Sequence, residues 1–253
     1  MIFNFDEKSL ERCSWEHKVF HLPPDNDFAL HFFDGFLSKF DLQELKLNPE
    51  LLGGVKIITS NKRLVKQLEV LFENRGFVVL PRILDLENLS ELFHEQPVAG
   101  GYEHEELDHF DLISELERTL LLSNLIESFK GSDFKDFTEI KSFELASSLI
   151  SIIDELNANN FTSNDLLNLT DEDLPEHLQR NLVLLRKVLK SYEKTLARLK
   201  LLDKQTKYLF TVDKLIHSWQ LQPCSRPIIL VGSTGSRLAT AKLMKAVTAL
   251  PQG

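Results

Sequence analysis

Residues 53–80, GGVKIITSNKRLVKQLEVLFENRGFVVL, decide the fold class. VKIIT (55–59) follows a glycine pair and is almost uniformly apolar, the pattern of a strand that a parallel sheet buries on both faces. The next stretch, NKRLVKQLEVLFENRGF, carries Leu64, Leu68 and Leu71 on one side of a helix, and Gly76 supplies its stop. FVVL (77–80), closed by Pro81, reads as the following strand. Strand, helix and strand in this order predict a parallel β-α-β unit.

Upstream, KVFHL (18–22) is a β-prone run ended by Pro23 and Pro24. DNDFALHFFDGFLSKF (25–40) then spaces its apolar residues as a helix behind Asp or Asn caps. The alternation becomes β-α-β-α-β, the grammar of a doubly wound sheet. It then stops. From Ile83 to Glu117 there is no Lys or Arg, and EHEELDHFD (103–111) reads as a solvated acidic loop. Beyond it only helical patterns follow: LISELERTLLLSNLIESF, EIKSFELASSLISIIDELN, LPEHLQRNLVLLRKVLKSYEKTLARLKLL and KQTKYLFTVDKLIHSW. Pro175 suits the first turn of the third, and Asp203 can cap the fourth. A strand signal returns once, in PIILV (227–231). The expected architecture is therefore α/β, a parallel-sheet domain (1–105 and 225–253) interrupted by an all-helical insertion (106–224).

Composition narrows the function classes. With 43% hydrophobic and 26% charged residues the chain falls among ordinary globular proteins, and no apolar run has the ~18 residues of a membrane span. The N-terminus, MIFNFDEKSLERCSWEHK, has no basic segment followed by an apolar one, so a secretory signal is not expected. Cys13 and Cys224 form no Cys-x-x-Cys pair, which supports neither a disulfide framework nor a zinc or iron–sulfur site and fits a reducing cytoplasm. Net charge is −9, but residues 175–253 hold 14 Lys and Arg against 4 Asp and Glu, a balance of +10. That asymmetry points either to a polyanion partner for the basic part or to a solvated face with internal charge pairing.

Two turns could carry chemistry. The first, Thr59-Ser60-Asn61 ahead of Lys62 and Arg63, places hydroxyls, an amide and backbone N–H groups at a helix N-terminus. This suits contact with a nucleic-acid backbone and equally an ordinary cap with solvated basic residues. The second, Gly232-Ser233-Thr234-Gly235-Ser236, follows PIILV and is too short for a Walker loop, with Arg237 where no such motif puts its lysine. It can be a strand-to-helix turn with Ser or Thr capping, or a site for one anion. FHLPPDNDFALHFF (20–33), where a nucleotide-binding domain would keep its phosphate loop, has prolines and acids instead. His104 and His109 lie in the acidic loop with no fixed geometry, and His177 and His217 stand alone on helices. No cofactor is implied. Trp15, Trp219 and the many Phe residues read as core.

The runs LPEHLQRNLVLLRKVLKSYEKTLARLKLLD and PIILVGSTGSRLATAKLMKAVTALPQG, with VKIITSNKRLVKQL, VVLPRILDL and SELERTLLLSNLI ahead of them, closely resemble the alphaproteobacterial form of the AddB family, a subunit of the AddAB helicase–nuclease. The resemblance spans nearly the whole chain, and Gly-Ser-Thr-Gly-Ser followed by Ala-Thr-Ala is its most specific part. It implies a superfamily-one-type, degenerate P-loop domain that serves double-strand break repair by scaffolding an AddA-like motor subunit and guiding DNA. TSNKR matches the helicase motif that contacts single-stranded DNA, so Thr59, Ser60, Asn61 and Arg63 inherit that role. Ser233, Thr234, Ser236 and Arg237 are candidate contacts to a DNA phosphate. Gly232 and Ser233 stand where an active helicase has its acidic Mg²⁺ pair. The family's second helicase half and C-terminal nuclease lie beyond Gly253, so the chain is expected to be an excised fragment or a truncated gene product with no ATPase or nuclease activity. The rival readings are a protein-interaction scaffold without DNA contact and an active P-loop NTPase or nuclease.

Overall fold

The computed structural model describes residues 19–40, 45, 48–95, 110–130, 141–159, 161, 165 and 176–253. In chain order its elements are α1 (Phe28–Leu37), a one-turn helix (Glu50–Gly53), β1 (Lys56–Thr59), α2 (Lys62–Asn74), β2 (Arg82–Asp85), a 3-10 segment (Leu86–Glu95), β3 (Asp111–Leu112), α3 (Glu115–Lys130), α4 (Ser142–Ala158), α5 (Glu176–Leu199), β4 (Leu201–Leu202), α6 (Lys204–Leu221), β5 (Ile228–Val231) and α7 (Leu238–Ala249). The chain divides into a sheet unit (1–100, 211–236 and 240–253) and a helical unit (101–210 and 237–239).

In the sheet unit the strand order is β2-β1-β5 and every pairing is parallel. All four residues of β1 are buried, as befits a central strand, Lys56 and Thr59 together with Ile57 and Ile58. Ile57 is level with Ile83 on one side and Ile229 on the other, so the three point to one face. That face meets Phe33 and Phe36 of α1 and Leu64, Leu68 and Phe72 of α2 in one core. The phenylalanines are its main filler, with Phe33 and Phe72 edge-on at 4.9 Å between ring centres. The side chain of Asn61 opens α2 by accepting from the Leu64 amide, and Gly76 closes it at φ 78°. PIILV forms β5 as expected, and it comes home beside β1 after the long excursion.

Two expected strands fall elsewhere. FVVL is not a strand; pairing begins only after Pro81, where the Arg82 amide donates to the Val55 carbonyl at 2.9 Å. Phe77 folds back onto Phe72, ring centres 6.0 Å apart, while Val78 is 94% exposed, so the chain needs those residues to leave the helix. Residues 19–22 likewise form no ladder, and Lys18 lies outside the described residues. The Ile228 amide, on the outer edge of β5, is already taken by the Gln252 carbonyl at 3.1 Å, and Pro23 and Pro24 have no amides to offer.

The helical unit packs α3, α4 and α5 around Leu122, Ile126, Leu149, Ile153, Val188 and Tyr192. Ser114 opens α3 with a reciprocal cap: its hydroxyl accepts from the Glu117 amide at 3.2 Å, and the Glu117 carboxylate accepts from the Ser114 amide at 2.9 Å. This bonding holds the Glu117 carboxyl below its ordinary pKa. Asp203 caps α6 through the Thr206 amide at 2.9 Å, as expected. Pro175 and the loop of 103–109 lie outside the described residues. The unit is not purely helical, because β3 and β4 pair in parallel over two residues each. Lys200, at φ 55°, turns the chain out of α5, and its carbonyl takes the Asp111 amide at 3.0 Å. No helix among the described residues is long and apolar enough to cross a membrane.

Candidate functional site

In open parallel sheets, ligands settle outside the carboxyl ends of the strands, where the chain leaves adjacent strands in different directions. Here that place lies between β1, whose chain continues to β2, and β5 on its other side. Thr59 and Val231 are paired as the last residues of the two strands. The two turns singled out in the sequence therefore leave the sheet next to each other. Gly232, at φ 75°, sits so close that a Cβ on it would lie 2.9 Å from Leu64 Cδ2 and 3.1 Å from Ser60 Oγ. Only glycine meets both requirements.

A cleft of about 700 Å³ opens at this junction within the sheet unit. Ser60, Asn61 and Arg63 line one part of its wall, and Gly232, Ser233 and Thr234 another. Phe28, Phe32 and Phe36 of α1 give an apolar wall. The cleft also runs along all four residues of β5, with Val19, Phe20, His21 and Leu22 among its other lining residues.

The hydrogen bonds show what each predicted residue has left to offer. Thr59 has no exposed surface, and its hydroxyl donates to the Asn61 carbonyl at 3.0 Å, so it shapes the turn from inside. The Asn61 side chain is occupied at both ends, accepting from the Leu64 amide at 2.9 Å and donating to Ser60 Oγ at 3.0 Å. Capping the third amide leaves those of Lys62 and Arg63 at the open N-terminus of α2. Ser233 Oγ accepts from the Gly235 amide at 3.3 Å, and Gly235 holds φ 67°. Ser236 and Arg237 are exposed and do not line the cleft. Of the eight candidate residues, the structure thus gathers Ser60, Asn61, Arg63, Ser233 and Thr234 at one mouth.

Other lining residues were missed. His31 and Asp25 both face the cleft and pair at 3.3 Å between Nε2 and Oδ2. The proline-bearing loop before α1 also spends its own donors: the Asp27 amide goes to Asp25 Oδ1 at 3.1 Å, and the Phe28 amide to the Asp25 carbonyl at 3.3 Å. With a carboxylate at its wall and these amides engaged, that helix start is poorly made for a phosphate. His104 and His109 lie outside the described residues, and among the described residues no three His, Cys, Asp or Glu form a metal-binding group.

One buried polar network also escaped the sequence reading. Arg118 of α3 is 3% exposed; its Nε donates to Tyr192 Oη at 3.1 Å, and its Nη2 lies 2.6 Å from Asp154 Oδ1. The second approach is off the hydrogen-bond line, so the two atoms attract as charges while each lacks an aligned partner. Burial works against the guanidinium charge, but Asp154, Tyr192 and Asp203 together raise its pKa above the ordinary arginine range. Burial likewise pushes the Tyr192 phenol up to about 12, against the pull of Arg118. The signal was available in outline: Arg118 stands four residues before Leu122 and eight before Ile126, on the buried stripe of α3.

The groups at the cleft suit binding: two helix-terminal amides, a guanidinium and hydroxyls for an anion, beside an aromatic wall for an apolar body. No family model matches the chain, and no curated protein matches it.

Proposed function

We propose that this chain is a non-catalytic, helicase-like module of a double-strand break repair helicase–nuclease, which scaffolds a motor subunit and guides DNA across its strand-end cleft. The observation that supports this reading is the meeting of the two turns at one cleft, at the place where a P-loop enzyme works. There the chain has Gly232 and Ser233 where a motor carries acids, and a loop with Pro24 and Asp25 where it carries glycines and lysine. Without a lysine and a metal-holding carboxylate pair, a triphosphate has neither counter-charge nor Mg²⁺. One DNA phosphate needs less, and Arg63 with the amides of α2 supplies it.

The test is fluorescence anisotropy with a labelled single-stranded and a forked oligonucleotide over a salt series. The expected result is binding that weakens with salt, with Arg63→Gln making the slope of log K against log salt shallower by about 0.7 on the single strand. Absence of binding at 50 mM salt would leave only the scaffold. Millimolar Mg-ATP is expected to leave the melting temperature unchanged, since a ligand held by the folded state alone at 100 times its Kd would add about 2.7 kcal/mol. A clear upward shift would refute the loss of the motor.

A further inference from the structure

The face of α5 turned away from its core contacts carries a line of cations. Lys187, Lys190, Lys194 and Arg198 follow one another at three- and four-residue steps, so they share one face of the helix. All four are exposed, while Leu184, Val188, Tyr192 and Leu196 on the opposite face are buried. Glu193 is the sole acid between Leu182 and Leu202; it stands three residues after Lys190, while Lys187, Lys194 and Arg198 have no acid three or four residues away in the helix. A solvated helix face is stabilised by placing acids four residues from bases; this one places bases there, so that Lys190 faces Lys194 and Lys194 faces Arg198. Lys190, Lys194 and Arg198 enter no salt bridge among the described residues. The arrangement therefore costs the isolated helix stability, and a polyanion laid along it would remove that cost.

We propose that this face of α5 is a binding surface for a nucleic-acid phosphate backbone, read without regard to sequence. From Lys187 to Arg198 the line is about 16 Å long at 1.5 Å per residue. A strand of B-form geometry places about five phosphates in that length, at about 3.4 Å each along the axis. The match is to a linear, evenly charged polymer. A lipid surface would want large apolar side chains among the cations, and here Ser191 and Ala197 stand beside them. The proposal shares the nucleic-acid partner with the reading of the cleft but rests on a different unit and on different residues.

The experiment uses the full chain, a single-stranded and a duplex oligonucleotide, and two triple variants. In one, Lys190, Lys194 and Arg198 all become Gln, which keeps helix propensity; in the other, Lys190→Arg, Lys194→Arg and Arg198→Lys keep the charge. Helical circular dichroism of both is expected to match the parent, and melting to be no lower, slightly higher in the Gln variant where the like-charge pairs are gone. The Gln variant is expected to make the salt slope shallower by about 2 on the single strand and to weaken binding roughly 10²-fold at 50 mM salt, whereas the charge-keeping variant stays within about threefold. The single-stranded and duplex arms decide which form of backbone is held. If the parent binds and the Gln variant keeps its slope, the surface on α5 is refuted; should Arg63→Gln alone change the slope, the cleft reading survives without it. A parent that binds neither oligonucleotide overturns both, and vesicles of anionic lipid bound as tightly as DNA, with the same loss in the Gln variant, would overturn the assignment to nucleic acid.

Discussion

Replacing Arg118 by Ala tests whether the helical unit is held by its buried polar network as well as by its apolar core. The change leaves the Tyr192 hydroxyl, now 3.1 Å from Nε, without its donor and the Asp154 carboxylate without its counter-charge. Removing one partner of a buried ion pair costs about 3–5 kcal/mol. The side chain of Asp154 keeps 33% of its exposure, so water can recover part of its solvation and the lower end applies, about 3 kcal/mol. For a unit of this size that is a fall of roughly 10–20 °C in melting temperature. Arg118→Met should cost less, because it deletes the charge but keeps an apolar stem to fill the space. Urea unfolding followed by far-ultraviolet circular dichroism gives both numbers. A second signature is pH. Tyr192 has its folded pKa raised to about 12 against an ordinary 10.0, so its contribution is complete below pH 10 and is lost as pH rises towards 12. That rise corresponds to about 2–3 kcal/mol at full effect, and Tyr192→Phe should abolish that alkaline decline. An Arg118→Ala variant within about 1 kcal/mol of the parent, or an unchanged alkaline decline in Tyr192→Phe, would refute the reasoning.

The remaining expectations concern single contacts. Gly232→Ala must force a Cβ to within 2.9 Å of Leu64 and hold φ 75°, so it should destabilise the sheet unit by more than about 1 kcal/mol in urea unfolding. Ser114→Ala removes the reciprocal cap of α3 and should cost about 1 kcal/mol; the contribution of the Glu117 carboxylate, whose pKa is lowered in the fold, is present at neutral pH and lost as pH falls below its ordinary range, and the Ser114→Ala variant should lose that acid dependence. Lys56 is 8% exposed in the central strand and burial holds its pKa below 10.5, opposed by Cys224 and assisted by Arg82. Lys56→Met should therefore stabilise the sheet unit at pH 7, and by less at pH 10, where the native lysine is released more readily in the fold than in the unfolded chain.

What the sequence disclosed was whatever its local pattern determined. The run VKIIT was apolar at Val55, Ile57 and Ile58 and so read as a buried strand, and β1 is buried at every position; that Lys56 goes in with them was not legible from the pattern. Asn61 and Gly76 act within a turn of where they stand: Gly76 stops the helix as expected, and Asn61 makes the cap that was one of its two readings. The strand after Gly76 was misplaced because FVVL and RILD are equally β-prone, and only the stacking of Phe77 on Phe72 and the missing amide of Pro81 select the second. Residues 19–22 have strand propensity, yet the Gln252 carbonyl, distant in sequence, takes the edge position at Ile228. The pairing of β3 with β4 is two residues long, too short to leave a period. Arg118 reads as surface charge beside Glu115 and Glu117, and only its place on the stripe of Leu122 and Ile126 hints at burial.

The candidate site divides along the same line. Each turn was visible because Ser, Thr, Asn and Gly cluster at a strand end; their contact was not, because Ser60 and Gly232 are brought together only by pairing of β1 with β5. Once they meet, most of their hydrogen-bonding capacity is spent inside the turns, Thr59 on Asn61, Asn61 on Leu64 and Ser60, Ser233 on Gly235. What remains for a ligand is the guanidinium of Arg63, the amides beside it and the hydroxyls of Ser60 and Thr234, enough for about one phosphate. The cation line of α5 offers Lys190, Lys194 and Arg198. If both readings hold, the salt dependence on a single strand should sum to a slope of about −2.8, at about 0.7 per contact, with α5 supplying most of it. A measured slope near −0.7 would assign the whole electrostatic contact to the cleft, and the basic balance of the C-terminal stretch would then be the solvated face that its composition equally allowed.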